Sequence, residues 1–337
     1  GSPILLGKYW LSDIYPMSDG GLAVLVGKSI NNTYLEEYPN AIQLIQVSSS
    51  GSVGSAKHLF GGEGHGAQKS WFDGRSKGKI TSNGSNFGIY FEVQKNWAEA
   101  GSADDIHNGD MFVVTDLNGN IDNSKTHFWT ASHSNCVQVA PVSSGEFYTM
   151  TIGDAHPFGL QVYNRDKNAS FIAWPPKEDF VPYAECNSSS APGILYFMAE
   201  DKGELIAIMG TLDHPNIGWD TKVDPLFLKF DKQGNVTKKK YLKQSPEDEG
   251  HISVHPLDGN YLVAYGTGND FNNGWAAGEF EITVIDGNAN TVLIPTKIAK
   301  PFGSNSQIVP VSNKKFAWLN APYEGAEKLE WYEMVFE

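Results

Sequence analysis

The stretch that decides the fold is YPMSDGGLAVLVG, residues 15–27, in which a polar turn is followed by an apolar run that ends in glycine. The same pattern returns as APVSSGEFYTMTIG (residues 140–153), HPLDGNYLVAYG (residues 255–266) and VPVSNKKFAWLNA (residues 309–321). A short apolar run bounded by turn residues predicts a buried β-strand, and its return along the chain predicts a repeat architecture. The sequence therefore indicates an array of similar β units.

Each unit has four parts: a short strand that ends in a tight turn, an apolar strand, an alternating strand after a variable loop, and a last strand after a second tight turn. The second strands are predicted at LAVLVG, FGIYFEV, FYTMTIG, ELIAIMG, YLVAYG and KFAWLNA. The third strands are predicted at AIQLIQVS, DMFVVTD, FGLQVYN, PLFLKFD, EFEITVID and KLEWYEMVF. Glycine and asparagine in the turns supply the positive φ that short hairpins need.

The number of strands predicts how the array closes. Six second strands and six third strands are present, but the chain stops at Glu337, directly after the last third strand. PILLGKYWL, residues 3–11, precedes the first unit and has no partner there. We expect this N-terminal strand to pair with the C-terminal blade, residues 303–337. The pattern resembles a six-bladed β-propeller of four-stranded antiparallel blades, which implies an all-β fold and a single domain over residues 1–337.

The composition narrows the classes of partner. The formal net charge is −14, which disfavours binding to nucleic acid phosphates. The one basic run, residues 238–240 with Lys243, lies on a predicted edge strand, where lysines block unwanted pairing. No apolar run reaches the roughly 18–20 residues that a membrane-spanning helix needs.

Two features are compatible with an oxidising, extracellular or periplasmic compartment, and we expect any signal peptide to have been removed. Cys136 and Cys186 fall at the starts of neighbouring blades, where either a disulfide or two buried thiols would fit. The sequence also has N-x-S/T triplets, which arise often by chance. They begin at Asn31, Asn83, Asn168, Asn187 and Asn235.

The predicted site lies on one face of the propeller. Loops that join second to third strands, and loops that join one blade to the next, share a face, and the long segments of this chain all fall there. Long loops on a rigid scaffold are the usual place for a binding or catalytic site. The opposite face has tight turns, among which we place DLNGNID (residues 116–122) as a turn and not as a calcium loop.

Aromatic and polar side chains in these loops are the candidates for ligand binding. A loop tryptophan offers a flat apolar surface that suits stacking on a sugar ring, and its alternative role is to anchor the loop between blades. The predicted ligand-binding residues are His65, Trp71, Asp73, Arg75, Trp97, His133, Trp219, His251 and Trp275. Four further tryptophans lie in predicted strands, where we expect packing: Trp129, Trp174, Trp318 and Trp331.

Acids and histidines on the same face suggest a metal site or acid–base chemistry. GDAHP and LDHP follow second strands directly, so they occupy similar positions in successive blades. Carboxylates and imidazoles that converge on an axis bind Ca²⁺ or transition metals, or transfer protons in hydrolysis. The alternative is that these side chains cap turns and line a wet channel. The predicted metal ligands are Asp154, His156, Asp213, His214 and Asp270.

Three functions remain open at this stage. The leading hypothesis is a secreted or cell-surface recognition propeller that binds a carbohydrate or similar polar ligand. The second is a metal-dependent hydrolase or lyase, with Ca²⁺ as the possible cofactor, whose site lies at the top of the channel. The third is a protein-interaction scaffold, which would show a broad apolar patch in place of a pocket.

Overall fold

The computed structural model describes residues 9–29, 40–61, 68–70, 78–96, 106–132, 134–153, 159–174, 193–212, 223–244, 252–267, 279–300, 302, 308–312, 315–320 and 330–335. Within these residues every helix or strand element is a β-strand. The chain divides into two compact units, Gly1–Ala191 and Pro192–Glu337. Each unit contains three antiparallel blades, numbered here in chain order.

The first unit holds blades 1 to 3. Blade 1 consists of β1 (Trp10–Pro16), β2 (Leu22–Ser29), β3 (Asn40–Val47) and β4 (Lys57–Gly61), and a short strand, β5 (Gln68–Ser70), follows it. Blade 2 consists of β6 (Lys79–Ser82), β7 (Asn86–Asn96), β8 (Ile106–Asp116) and β9 (His127–Ser132). Blade 3 consists of β10 (Ser134–Pro141), β11 (Phe147–Gly153), β12 (Gly159–Asn164) and β13 (Ala169–Trp174).

The second unit holds blades 4 to 6. Blade 4 consists of β14 (Gly193–Asp201), β15 (Glu204–Leu212), β16 (Val223–Phe230) and β17 (Val236–Tyr241). Blade 5 consists of β18 (Ser253–Leu257), β19 (Asn260–Gly266), β20 (Phe280–Ile285) and β21 (Thr291–Ile298). The described strands of blade 6 are β22 (Val309–Ser312), β23 (Lys315–Asn320) and β24 (Glu330–Val335).

The strands predicted from the repeat are present, and the exceptions lie at the N-terminus. Trp10 and Leu11, the last residues of the predicted closing strand, pair with Gly27 and Val26 and therefore begin blade 1. A register shift between Leu11 and Asp13 lets β1 continue past the bulge. Residues 3–8 lie outside the described residues, so closure by the N-terminal strand and the single domain stay predictions.

Position within a blade decides how deeply a strand is buried. All seven residues of β11, a second strand, are buried, because neighbouring strands and blades cover both its faces. β17 and β21, two fourth strands, are mostly exposed because each is the last strand of its sheet. The lysine run, residues 238–240, lies on β17, as predicted for an edge strand.

Close packing between blades depends on glycine and aromatic pairs. In the first unit, a Cβ added to Gly88 would lie 2.7 Å from the ring of Phe147, so glycine lets the ring of blade 3 rest on the backbone of blade 2. In the second unit, Phe280 of blade 5 meets Trp318 of blade 6 edge to face at 5.2 Å. Trp318 is 2% exposed, as expected, whereas Trp331 on β24, the last of the described strands of blade 6, is 55% exposed.

We call the end of a blade at which its second strand stops and its third begins the loop end, and the opposite end the turn end. At the turn end of blade 2, Asp116 Oδ1 accepts the backbone N–H groups of Asn118 and Asn120 at 2.9 and 2.8 Å. Asp116 Oδ2 accepts a hydrogen bond from the Asn120 side-chain amide. Gly119 has a φ of +81°, which the tight turn requires. The DLNGNID segment is therefore a turn, as predicted.

The same turn recurs in the second unit, at Asp231 in blade 4 and Asp286 in blade 5. The blade 5 turn differs, since Ala289 takes the left-handed position at a φ of +57° and glycine stands at position 287. Gly287 lies directly against the Asp201 carboxylate of blade 4, where a Cβ has no room. Contact with the neighbouring blade thus explains the glycine at position 287.

Candidate functional site

Every residue that the sequence predicts for the site lies outside the described residues: His65, Trp71, Asp73, Arg75, Trp97, His133, Asp154, His156, Asp213, His214, Trp219, His251, Asp270 and Trp275. The strands that flank these residues nevertheless define where each one leaves the scaffold. All of these departure points are at the loop ends of blades or between consecutive blades. The structure therefore gives the ends of the flanking strands, and the predicted site itself stays a prediction.

Blade 2 extends further at its loop end than the other blades. β7 and β8 have 11 residues each and stay paired from Asn86 with Asp116 to Asn96 with Ile106. β5 pairs with the extension of β7, Gln68 opposite Lys95 and Ser70 opposite Val93, and a single contact joins Ser70 to Asn40 of blade 1. Trp71 directly follows β5, and Trp97 directly follows β7. Each of these two predicted tryptophans therefore comes next in the sequence after a strand of the same small sheet. The sequence pattern did not indicate β5, which lies in a segment that was predicted to be a loop.

Blade 3 places two predicted site residues at adjacent strand ends. β10 begins at Ser134 and β11 ends at Gly153, and these two residues are partners in the ladder. His133 directly precedes the first of them and Asp154 directly follows the second. Since paired residues in antiparallel strands have Cα atoms about 4.5–5.5 Å apart, the start of β10 and the end of β11 lie side by side. A histidine and a carboxylate thus share one attachment point.

In the second unit, two loops carry the remaining acids. β15 ends at Leu212, opposite Val223, and Asp213 is the next residue. β19 ends at Gly266, opposite Phe280, and the Thr267 N–H continues the ladder by donating to the Glu279 carbonyl at 3.1 Å. Asp270 follows three residues later. Asp154 and Asp213 therefore each directly follow the end of a second strand, although β15 continues two residues beyond Gly210 and β11 ends at Gly153, and Asp270 lies further along its loop.

A buried charged network between blades 2 and 3 was missed by the sequence analysis. Asp110 Oδ2 accepts the Tyr90 hydroxyl at 2.7 Å and the Arg165 Nη2 at 2.9 Å. The Asp110 side chain is 0% exposed and the Arg165 side chain 3%. Arg165 lies in the turn between β12 and β13 of blade 3, where the sequence indicated a turn and no further role. The available signal was an acid at an inward position in each of the apolar strands FGIYFEV and DMFVVTD.

Aromatic rings enclose the Arg165 guanidinium. Its Cζ lies 4.7 Å from the ring centre of Tyr163, 4.9 Å from that of Tyr90 and 5.4 Å from that of Phe112, and Nε donates to Thr149 Oγ1 at 2.6 Å. Burial, followed by the Asp110 charge, raises the pKa of Tyr163 to about 12, against the opposing effect of Arg165. The same causes raise the pKa of Tyr90 well above its ordinary value. Both hydroxyls therefore stay neutral at physiological pH.

Glu92 is the second buried acid of this interface, and it lies opposite Asp110 in the ladder of β7 and β8. It is 3% exposed, and its Oε1 accepts the backbone N–H of Cys136 at 3.1 Å. Cys136 has a φ of +59° and lies in a bulge of β10 between Asn135 and Gln138. The Glu92 carboxylate therefore ties blade 2 to the first strand of blade 3.

Blade 5 has a smaller charged group near its loop end. Glu281 accepts Lys243 Nζ at 2.6 Å through Oε1 and the Tyr265 hydroxyl at 3.1 Å through Oε2. Lys243 follows β17 of blade 4, so the ion pair joins neighbouring blades of the second unit. Part of the basic run is thus engaged in an ion pair within the protein.

Two further observations apply to the described residues. Among them, no three His, Cys, Asp or Glu side chains come close enough together to hold a metal ion. The predicted ligands Asp154, His156, Asp213, His214 and Asp270 are not part of that set, so the possible Ca²⁺ site stays a prediction. The same portion of the chain contains no helix of the length and apolarity needed to cross a membrane.

Comparison with known proteins gives a likeness of fold. No protein-family model and no curated protein sequence matches this chain. The chain is similar to the GH93 α-L-arabinofuranosidase of Fusarium graminearum in complex with arabinobiose, with a TM-score of 0.55 and 9% identity over 97% of this chain and 93% of that one. It is also similar to the NanB sialidase of Streptococcus pneumoniae, with a TM-score of 0.58 and 9% identity over 98% of this chain and 69% of that one.

A weaker likeness is to a GH43_1 enzyme from Xanthomonas citri, with a TM-score of 0.45 and 10% identity over 99% of this chain and 89% of that one. At these identities the comparisons establish the fold alone. They confirm the six-bladed β-propeller class that the repeat predicts.

Proposed function

We propose that this protein is a carbohydrate-active β-propeller that cleaves a glycosidic bond at its loop end. The observation that carries the proposal is where the second strands end within each unit: β11 ends directly before Asp154 in the first unit, and β15 ends directly before Asp213 in the second. Glycoside hydrolysis needs two carboxyl groups on opposite sides of the scissile bond, one as acid and one as base or nucleophile. Asp154 is the candidate carboxylate of the first unit, and Asp213 and Asp270 are the candidates of the second.

The names of the similar structures support the carbohydrate class. Two structures with TM-scores above 0.5 are named an arabinofuranosidase in complex with arabinobiose and a sialidase. Hydrolysis is favoured over binding alone because both names are those of enzymes. Trp71, Trp97, Trp219 and Trp275 would then stack on sugar rings, and His133 beside Asp154 would assist proton transfer. Such a role fits an extracellular or periplasmic protein, which we include in the proposal.

The test is an activity screen with matched acid variants. The purified protein is assayed on a panel of aryl glycosides and polysaccharides that includes α-L-arabinofuranosides and sialosides, once with Ca²⁺ and once with chelator. We expect hydrolysis of one class, and a loss of about 10²–10⁴-fold in kcat in at least two of Asp154→Asn, Asp213→Asn and Asp270→Asn. Asp116→Asn, at the turn end, is the matched control and should retain activity.

The screen also separates the alternatives. Hydrolysis that chelator abolishes would assign a role to Ca²⁺, and hydrolysis that survives would exclude one. Binding on a glycan array without turnover of any substrate would replace the proposal by a carbohydrate-recognition module. Neither binding nor turnover, or full activity in all three loop variants, would refute the proposed site.

A further inference from the structure

The interface between blades 2 and 3 combines an apolar cluster with a network of buried polar side chains. Tyr90, Glu92 and Asp110 on blade 2 face Thr149, Gln161 and Arg165 on blade 3, and all of them are buried. In the second unit, Ile206, Ile208 and Phe227 pack against Val263 and Tyr265 between blades 4 and 5, and the ion pair of Lys243 with Glu281 also joins these blades. The buried polar network between blades 2 and 3 has to be explained by something other than hydrophobic stabilisation.

Buried charges are a poor source of stability, because desolvation offsets much of their attraction. Well-packed apolar residues of similar volume often stabilise a core equally well. A buried charged group is best explained where it holds a particular geometry. Asp110 and Arg165 hold each other, whereas the contact observed for Glu92 is with the backbone of Cys136.

The backbone at Cys136 is a place where such a contact matters. A φ of +59° is unfavourable for a residue with a Cβ, and the bulge removes the N–H of Cys136 from the regular ladder. Glu92 Oε1 accepts that N–H at 3.1 Å and so satisfies it while holding the bulge in place. A carboxylate makes a stronger hydrogen bond to an N–H group than a neutral acceptor does.

Two residues from Cys136, the strand begins at Ser134, which pairs with Gly153. In the sequence, His133 directly precedes Ser134 and Asp154 directly follows Gly153. We propose that Glu92 is a positioning residue that fixes the shared attachment point of His133 and Asp154, and through it one side of the active site. This inference rests on the proposed function and adds to it a residue that touches neither substrate nor solvent.

Three variants of Glu92 separate reach, charge and hydrogen bonding. Glu92→Gln keeps an oxygen acceptor of the same reach and removes the charge. Glu92→Met keeps the length and removes the acceptor. Glu92→Asp keeps the charge but shortens the side chain by one methylene, so that the carboxylate no longer reaches the Cys136 amide. This variant provides the same test if Glu92→Met does not fold.

The first readout is hydrogen exchange at the Cys136 amide, measured by NMR or peptide mass spectrometry. A lost hydrogen bond of typical strength predicts exchange about 10-fold faster in Glu92→Met and Glu92→Asp, with Glu92→Gln within about 3-fold of wild type. Ser12→Ala is the control for locality, because Ser12 Oγ donates to the Gly78 carbonyl at the equivalent bulge of blade 1. It should leave exchange at residues 134–138 unchanged.

The second readout is turnover of the substrate found in the activity screen. We expect kcat to fall at least 10-fold in Glu92→Met and Glu92→Asp with little change in KM, and Glu92→Gln to restore most of it. Asp201→Asn, a loss of charge at the turn end of blade 4, should not change kcat. If Glu92 had only a structural role, its variants would lower the free energy of unfolding without this difference in kcat between Glu92→Gln and the other two.

The outcomes distinguish the two proposals. If wild type is active and all Glu92 variants match its kcat, the positioning role is wrong while the proposed function stands. If wild type has no activity on any glycan, the proposed function fails and the positioning role fails with it, whatever the exchange result. If the Cys136 amide exchanges at the wild-type rate in Glu92→Met, the anchoring contact itself is refuted.

Discussion

Replacing Arg165 with methionine tests whether the interface between blades 2 and 3 holds a charged pair away from water. The Arg165 and Asp110 side chains are 3% and 0% exposed and their N and O atoms are 2.9 Å apart. Methionine keeps the apolar length of the side chain but leaves Asp110 buried without its cation. Removing one partner of a buried pair costs about 3–5 kcal/mol in the free energy of unfolding. Because Arg165 also donates to Thr149 and contacts Tyr90 and Tyr163, we expect the upper part of this range.

The assay is urea denaturation followed by circular dichroism in a double-mutant cycle. Arg165→Met and Asp110→Asn are measured singly and together, and we expect a coupling energy of about 1–3 kcal/mol, since residues in one network do not act additively. Lys297→Met is the control, because Lys297 and Glu279 form an ion pair whose side chains are 58% and 53% exposed. An exposed pair contributes about 0.2–1 kcal/mol.

Two results would refute the reasoning. A cost below about 1 kcal/mol for Arg165→Met would mean that Asp110 does not remain as an uncompensated buried charge. Single-variant costs that add within about 0.5 kcal/mol in the double variant would mean that the two side chains are energetically independent.

Three further predictions concern the turn ends. Gly234→Ala should destabilise the protein by about 1–2 kcal/mol in thermal or urea unfolding, because Gly234 has a φ of +95°. Gly287→Ala should also destabilise, since its Cβ would meet the Asp201 carboxylate, and the loss should shrink when Asp201→Ala is added; an equal loss in both backgrounds would contradict the contact. Hydrogen bonds from backbone and side-chain groups lower the pKa of Asp116 and of Asp231. Their folded-state pKa values lie below the unfolded ones, so the stability they contribute is present above the unfolded pKa and is lost as pH falls through the folded pKa. The double Asn variant should therefore lose less stability than wild type between about pH 5 and pH 2, and identical acid limbs in pH-dependent unfolding would contradict this.

The strand order was predictable because it depends on local chemistry. Apolar runs such as FYTMTIG are long enough to cross one blade and too short for a helix, and polar turns bound them at both ends. The Asp-x-x-Gly-Asn turns were predictable for the same reason, since the aspartate of each turn binds amides only two and four residues away. Such contacts do not depend on the rest of the molecule.

The wrong or missed features depend on contacts between distant residues. Trp331 was expected to pack between blades and is exposed, because burial of a strand residue is decided by its neighbours in space. β5 was missed because its three residues form a strand only where the extended β7 offers a free edge. Glycine stands at position 287 because the turn meets Asp201 of another blade there.

The sequence by itself determined the class of the fold, the order of the strands and the end of each blade that carries long loops. Periodicity and turn chemistry act over a few residues, and the repeat multiplies the signal. Only the tertiary structure decided that Asp110 meets Arg165 across 55 residues and that Glu92 binds the backbone of Cys136 across 44. It also decided that Ser134 pairs with Gly153, the two residues next to His133 and Asp154 in the sequence. These contacts follow from the packing of one sheet against another, which brings together side chains whose separation along the chain carries no local signal.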